Sequence, residues 1–424
     1  MKVGILGGTF DPIHRGHIAI ARAAKEQLGL DMVRIMPARI PPHKRGTDIT
    51  DDVHRLMMIA LALPVGEGIE LDLTEFERET VSYTSDTLSI LRERHPDDEI
   101  YYIIGEDSLR DFPTWHEPAT IASLAKIPVA VRSHDAAHFQ ELLAERNRQY
   151  NGAFLALSVP YDEISSTEIR REICHRSTPH PALTLREADY IRRFGLYGCK
   201  PEALTKEAFN RYEQFLKMLT GTISTHRLNH SKGVAFMAAN LMATWAEDGK
   251  KEPKEARKLV RKALLAGILH DCAKNMSPEE MLSYLKKHRY PVSEELPDFP
   301  GIVHGPAGRV LARDRYGVRD AEILRAIGNH CNGSEEMPAH PVELAVFIAD
   351  FSEPFRDHIP TPPLPVIRDE ALRNGAKAAE MCSAATIYFL NDIGYPVSRE
   401  GLRIYEAIKE YNKQQKDFPE RKGR

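Results

Sequence analysis

The 424-residue sequence predicts two domains of different class: an α/β domain built on a parallel sheet, then an all-α domain. Three observations carry this. Apolar, β-branched segments recur at 3–6, 32–36, 100–104, 127–131 and 154–157. Helix-like stretches lie between them, at 53–63, 85–94 and 137–148, which is the alternation of a parallel sheet covered on both faces. From Ala208 the texture becomes nearly continuous helical periodicity, as in 232–246 and 256–269, with no run of strands. Gly198, Pro201 and the small residues between them interrupt the periodicity. The expected division is therefore a domain at 1–198, a linker at 199–205, a helical domain at 206–415 and a charged, solvated tail at 416–424.

Composition narrows the function classes. Hydrophobic content of 42% with 28% charged residues excludes a disordered chain. A net charge of −4 provides no field to gather a nucleic acid polymer, so anionic partners must be met at local sites, which favours small nucleotides. Five cysteines without a Cys-x-x-Cys pair predict a reducing compartment and no disulfide. A strand begins after two residues, leaving no room for a signal peptide, and no apolar run approaches the roughly 20 residues of a membrane span. A cytoplasmic protein with no membrane partner is expected; no feature fixes the oligomeric state.

The opening segment, Lys2 to His17, reads as strand, Gly7-Gly8 turn and helix, with apolar residues resuming at Ile18 and Ile20. Such a turn suits phosphate, because glycine lets the backbone approach an anion and the helix start offers unpaired N–H groups. His14 and His17 add two donors without fixed charge. Three further loaded segments follow predicted strands, where the ligand of a parallel sheet sits. Pro41-Pro42-His43-Lys44 stiffens the loop that presents Lys44. Gly105-Glu106-Asp107-Ser108 precedes Trp115, which can stack on a heterocycle or pack in the core. Ile164-Ser165-Ser166-Thr167-Glu168-Ile169-Arg170 offers an N-cap, hydroxyls and a guanidinium at one helix start.

The string Gly-Gly-Thr-Phe-Asp-Pro-Ile-His-x-Gly-His, the Pro-Pro-His-Lys loop, Ser82-Tyr83-Thr84-Ser85-Asp86-Thr87-Leu88 and Ile-Ser-Ser-Thr-x-Ile-Arg together resemble the nicotinate-nucleotide adenylyltransferases. The likeness runs over about residues 1–198, where 188–197 resembles that family's closing helix and strand-like end. It implies a Rossmann-like nucleotidyltransferase fold. It also implies ATP over Gly8, Thr9, Phe10, Ser165 and Ser166, with Gly105 and Asp107 on the adenylate side. His14, His17, Lys44 and Arg170 would hold phosphates, while Thr84 and Trp115, with Lys44, would position the mononucleotide. The implied reaction has the 5′-phosphate of nicotinate mononucleotide attack the α-phosphorus of Mg²⁺-bound ATP and expel pyrophosphate, with no covalent residue. Related families that use pantetheine phosphate or cytidine nucleotides are the alternatives; the Pro-Pro-His-Lys loop and the spacing to Trp115 favour the pyridine acceptor.

In the second half, His230, His270-Asp271, His304, His330 and Asp350 each lie in or at the end of an apolar helical segment, where a polar group must be bonded or bind metal. Their order resembles the HD phosphohydrolase superfamily. More narrowly, Arg227-x-x-His230, His270-Asp271-x-x-Lys274, His304-x-Pro306-x-Gly308, His330-x-x-Gly333 and Asp350-x-x-Glu353-Pro354-x-Arg356 resemble its symmetrical diadenosine tetraphosphate hydrolases. That resemblance covers about 206–415 and implies an HD-type helical fold. It implies one metal on His230, His270, Asp271 and Asp350, and a second helped by His304 and His330. One or two ions of Fe, Mn, Co or Zn suit mixed imidazole and carboxylate donors. Asp271 and Lys274 would act in catalysis, and Lys274 and Arg356 would neutralise phosphates as diadenosine tetraphosphate splits into two ADP. Where the family usually carries threonines, Cys331-Asn332 follow His330. Six candidate ligands, none of them cysteine, argue against a structural zinc site. The alternatives are a nucleotide-sensing regulator and a hydrolase of dNTPs, guanosine polyphosphates or cyclic dinucleotides.

Overall fold

The computed structural model describes residues 1–40, 49–78, 80–131, 136–159, 164–356 and 360–416. The chain forms two compact units: Met1–Ile191 with Leu196–Cys199, and Arg192–Gly195 with the chain from Lys200 onward.

In the first unit the elements are β1 (Lys2–Gly8), α1 (Arg15–Leu28), β2 (Met32–Pro37), α2 (Asp52–Ala62), β3 (Ile69–Leu71), α3 (Thr84–Arg94) and β4 (Glu99–Gly105). They continue as α4 (Glu106–Asp111), α5 (Pro118–Leu124), β5 (Ile127–Val131), α6 (Ala136–Gln149), β6 (Phe154–Ser158), α7 (Ser166–Glu172) and α8 (Leu185–Phe194), whose last three residues count with the second unit. Six parallel strands pair in the order β3-β2-β1-β4-β5-β6. Apolar runs such as Val3–Leu6 become strands because helices cover both faces of a parallel sheet, so consecutive side chains are buried. The strand order reverses between β1 and β4, and the crevice at their carboxyl ends is the ligand position of such sheets. Gly8 and Gly105 end those two strands.

Three expectations are corrected. β3 was not foreseen, because three residues at a sheet edge, with only Ile69 buried, carry no alternation. The strand-like end near 194–197 is a single 3₁₀ turn, Leu196–Gly198, since Gly195, Tyr197 and Gly198 all take positive φ and turn the chain. Cys174 and Cys199 form a disulfide, 25 residues apart in sequence, because the end of α7 and that turn bring their Cα atoms to 4.9 Å. Spacing alone does not show this pairing.

In the second unit the elements are α9 (Lys206–Leu219), α10 (Thr225–Asp248), α11 (Pro253–Leu269), α12 (Pro278–Lys287) and α13 (His304–Asp314). They continue as α14 (Ala321–Asn329), α15 (Pro341–Ser352), α16 (Leu364–Arg373), α17 (Gly375–Asp392) and α18 (Arg399–Lys416), with no strand among the described residues. The unbroken apolar run Leu344–Ala349 marks α15 as a core helix, buried on every side. Gly267 lets α11 lie against α10, for a Cβ there would stand 2.6 Å from the Ala235 Cα. No helix is long and apolar enough to cross a membrane among the described residues.

Candidate functional sites

The first site is the loop between β1 and α1. A side chain at Gly7 would strike the Tyr102 hydroxyl, so the strand end approaches β4 closely only because this residue is glycine. Beyond it three of the loop's carbonyls are held by side chains from elsewhere in the unit. Arg55, without exposed surface, donates from Nη1 to the Thr9 carbonyl at 2.7 Å and from Nε to that of Thr50 at 3.2 Å. Arg170 Nη1 donates to the Asp11 carbonyl at 2.6 Å, and Ser166 Oγ to that of Pro12 at 2.9 Å. The buried Asp11 carboxylate accepts the Tyr197 hydroxyl at 2.8 Å and the Thr50 N–H at 3.2 Å. Carbonyl oxygens that would repel a phosphate thereby accept hydrogen bonds from these side chains, and two guanidinium groups stay beside the loop.

His14 precedes α1, and its N–H donates to His17 Nδ1 at 3.2 Å. With Nδ1 accepting, a neutral His17 carries its proton on Nε2. The two rings lie 3.8 Å apart, and the buried Phe10 meets His17 edge-on at 4.9 Å. Next to the loop a cavity of about 570 Å³ is bounded by Gly8, Thr9, Glu75, Thr84, Tyr102 and Trp115. Trp115 is half-buried against Phe112 and Tyr102, so it is both packed and facing the cavity. Burial raises the Glu75 carboxyl above its ordinary range, although Thr87 donates to it.

Of the residues singled out in the sequence, Gly8, Thr9, Thr84 and Trp115 share that cavity. His14, His17, Ser166 and Arg170 gather on the loop. Ser165 caps α7 by accepting from Glu168 N, and Gly105 stands before α4. Asp107 is exposed, 3.5 Å from Arg110, and does not bound the cavity. Lys44 lies outside the described residues. Arg55, Asp11 and Tyr197 were missed, for their partners are distant in sequence.

The second site lies where α10, α11, α13, α14 and α15 converge. His230 Nε2 stands 3.2 Å from His270 Nε2 and 3.0 Å from Asp350 Oδ1, and His270 Nε2 is 3.6 Å from that oxygen. Asp271 Oδ2 lies 3.9 and 3.7 Å from the same imidazoles. The other carboxylate oxygen, Oδ1, is 3.2 Å from His304 Nε2 and 3.5 Å from His330 Nε2, which are themselves 3.0 Å apart. All six predicted ligands thus meet, with Asp271 between two groups.

The far ring nitrogens are fixed. Nδ1 of His270 is 2.7 Å from the Gly267 carbonyl, Nδ1 of His330 is 2.8 Å from that of Ile327, and Nδ1 of His230 is 3.0 Å from Glu353 Oε1. Donation there leaves each Nε2 lone pair pointing inward, the orientation of metal-binding histidines. Glu353, part of the quoted motif but given no role there, is fully buried, and the space for its carboxylate exists because residue 233 is glycine. Lys274 Nζ meets Asp271 Oδ2 at 3.0 Å, and Arg356 Nη2 meets Asp350 Oδ1 at 2.9 Å.

Cys331 was not among the expected ligands. Its Sγ lies 3.3 Å from His304 Nε2 and 3.4 Å from His330 Nε2, so the expectation of a cysteine-free cluster is corrected. Adjacency to His330 at a helix end was the available signal. The surroundings are rich in carboxylates. Burial lowers the His230 basicity, but Asp350 and Glu353 outweigh it and carry its pKa up to about 9. Burial raises Asp271, yet the surrounding imidazoles of His270, His304 and His330 hold it well below the usual carboxylate range. Asp271 Oδ1 is buried with no hydrogen bond among the described residues. Inward lone pairs and an orphaned carboxylate oxygen suit one or two divalent ions.

Known proteins resemble both halves. A family profile described as Cytidylyltransferase-like matches residues 5–172, and one described as HD domain matches 227–353. A probable nicotinate-nucleotide adenylyltransferase of Thermomicrobium roseum is 40% identical over 196 residues, spanning 46% of this chain and 91% of the relative. The nicotinate-nucleotide adenylyltransferase of Bacillus subtilis is 36% identical over 198 residues, spanning 98% of its own length. A solved Clostridium acetobutylicum structure, described as a predicted HD superfamily hydrolase involved in NAD metabolism, shares 27% identity. It aligns over 47% of this chain and 97% of its own, with a TM-score of 0.41.

Proposed function

Because this chain belongs through its first half to the nicotinate-nucleotide adenylyltransferase family, we propose that residues 1–198 transfer the adenylyl group of ATP to nicotinate mononucleotide, giving deamido-NAD and pyrophosphate. The observation that carries this reading is the β1–α1 loop, whose carbonyls are tied to Arg55, Ser166 and Arg170 beside a cavity ending at Trp115. Two anions brought in line repel each other, and His14, His17, Arg170 and Lys44 offset that repulsion and stabilise charge on the transferring phosphoryl group. Mg²⁺ enters as part of the ATP substrate. Trp115 and Thr84 orient the acceptor, so its phosphate faces the α-phosphorus.

For residues 206–415 the proposed reaction is hydrolysis of diadenosine tetraphosphate to two ADP. His230, His270, Asp271 and Asp350 would hold one ion, and His304 and His330, with Asp271, a second, drawn from Fe, Mn, Co and Zn. Bound there, such ions supply positive charge that polarises a phosphoryl group and acidifies water. Lys274 and Arg356 neutralise neighbouring phosphates. Support for a two-ended substrate comes from two cavities, of about 500 and 290 Å³, that share Cys331, Phe347 and Thr386. Each offers aromatic rings for a base, Phe351 and Tyr388 in one, Phe299 and Tyr395 in the other. On this reading the protein acts on small nucleotides in the cytoplasm, although the Cys174–Cys199 disulfide removes the reducing-compartment argument for that location.

The test is product identification on the full chain. ATP with nicotinate mononucleotide and Mg²⁺ should yield deamido-NAD, and diadenosine tetraphosphate with Mn²⁺ or Fe²⁺ should yield ADP alone. Nucleotide binding without ADP release would make the second domain a sensor. Faster turnover of dNTPs, guanosine polyphosphates or cyclic dinucleotides would change its substrate.

A further inference from the structure

We propose that the Cys331 thiolate is itself a metal ligand, completing with His304, His330 and one oxygen of Asp271 a sulfur-containing site for Zn²⁺ or Co²⁺. The inference rests on the reading of the second unit as a metal centre and goes beyond the histidines and aspartates that define it.

The distances carry it. With metal–nitrogen bonds of about 2.0–2.1 Å and metal–sulfur bonds of about 2.3 Å, the edges of a tetrahedral site are roughly 3.3 Å between nitrogens and roughly 3.6 Å between sulfur and nitrogen. Here the two imidazole nitrogens are 3.0 Å apart, the sulfur is 3.3 and 3.4 Å from them, and the Asp271 oxygen is 3.2 and 3.5 Å from them. The two imidazole nitrogens and the sulfur already stand near three vertices of such a polyhedron, with the Asp271 oxygen beside the two nitrogens. That oxygen is the buried one without a hydrogen bond among the described residues, so the group contains an acceptor that a cation would satisfy.

The fold builds the approach. Gly305, next to His304, has no Cβ; one would stand 2.7 Å from the Gly328 carbonyl and 3.2 Å from Cys331 Sγ. Its absence lets α13 close on α14 and brings the sulfur to the histidines. Of the other free cysteines, Cys272 donates to the Gly308 carbonyl at 3.5 Å and Cys382 is buried; neither stands in a candidate metal group among the described residues. The companion group, His230, His270 and Asp350, has only nitrogen and oxygen donors, so the two positions differ chemically. Thiolate selects Zn²⁺ and Co²⁺ over Mn²⁺ and Mg²⁺, and the thiol proton leaves to solvent as the ion binds.

The test is a Co²⁺ titration of metal-free, full-length protein followed by absorption. A sulfur-to-cobalt charge-transfer band in the near ultraviolet should grow with a single equivalent, vanish in Cys331→Ser and persist in Cys272→Ser. In Cys331→Ser one ion should bind on the order of ten- to a hundredfold more weakly, since even partners of ligands cost that much. Visible cobalt bands without the charge-transfer band, or a band surviving Cys331→Ser, would overturn thiolate ligation and leave the metal centre standing. No cobalt binding at all would remove the metal centre and this proposal together. If Cys331→Ser does not fold, X-ray absorption of the zinc-loaded parent decides: a sulfur shell at about 2.3 Å is required, and its absence refutes the assignment.

Discussion

Glu187 shows how much a single buried carboxyl can govern. It sits in the first turn of α8, where Oε2 accepts the Thr184 N–H at 2.8 Å while Oε1 is buried without a partner among the described residues. Burial raises its pKa to about 8. Between about pH 4.5 and pH 8 the folded chain therefore holds a proton that the unfolded chain has lost, so stability is greatest at the acid end and falls as pH rises through 8. The loss across that window is on the order of 5 kcal/mol. Denaturant midpoints from pH 5 to 8, read by Trp115 emission in a Trp245→Phe background, should fall in the parent and flatten in Glu187→Gln; equal slopes would refute this. The functional residues split along a similar line. His14, His17, Ser166 and Arg170 were legible because a contiguous motif carries them. The roles of Arg55, Tyr197, Glu353 and Cys331 were not, because contacts that define them span 46, 186, 123 and 27 residues and only tertiary structure makes them.

At the scale of elements, the contact of α10 with α11 sets the second site, because α10 carries His230 and α11 ends at His270. Gly267→Ala tests it. Alanine gains about 1 kcal/mol of helix propensity over glycine. Its Cβ, however, would meet Ala235 Cα at 2.6 Å and Ala235 N at 2.8 Å, backbone atoms that cannot rotate away. Overpacking of this kind costs about 1–3 kcal/mol, and because backbone atoms are struck the upper part of that range applies, so the net effect should be a loss of up to about 2 kcal/mol, with weaker metal retention as His270 shifts. A thermal midpoint equal to or above the parent's, with metal affinity unchanged, would show that the helices part without penalty. Five of the six strands were legible, because strands buried on both faces read as apolar runs. The three residues of β3 and the turn at Leu196–Gly198 carry no periodicity, and their form follows from pairing and glycine φ angles.

For the whole molecule, the account assigns two chemistries to two sites with no residue in common. One grips phosphates through a glycine turn, two histidines and tied carbonyls. The other gathers imidazoles and carboxylates around divalent ions. The most direct measurement is side-by-side product analysis of the full-length parent, His17→Ala and Asp271→Ala, each with ATP plus nicotinate mononucleotide and with diadenosine tetraphosphate plus Mn²⁺. His17→Ala should lower deamido-NAD formation on the order of 10²- to 10³-fold, as loss of a transition-state donor does, and leave ADP release unchanged. Asp271→Ala should abolish ADP release, lose bound metal and leave deamido-NAD formation unchanged. Loss of both activities in either folded variant would contradict the division of labour.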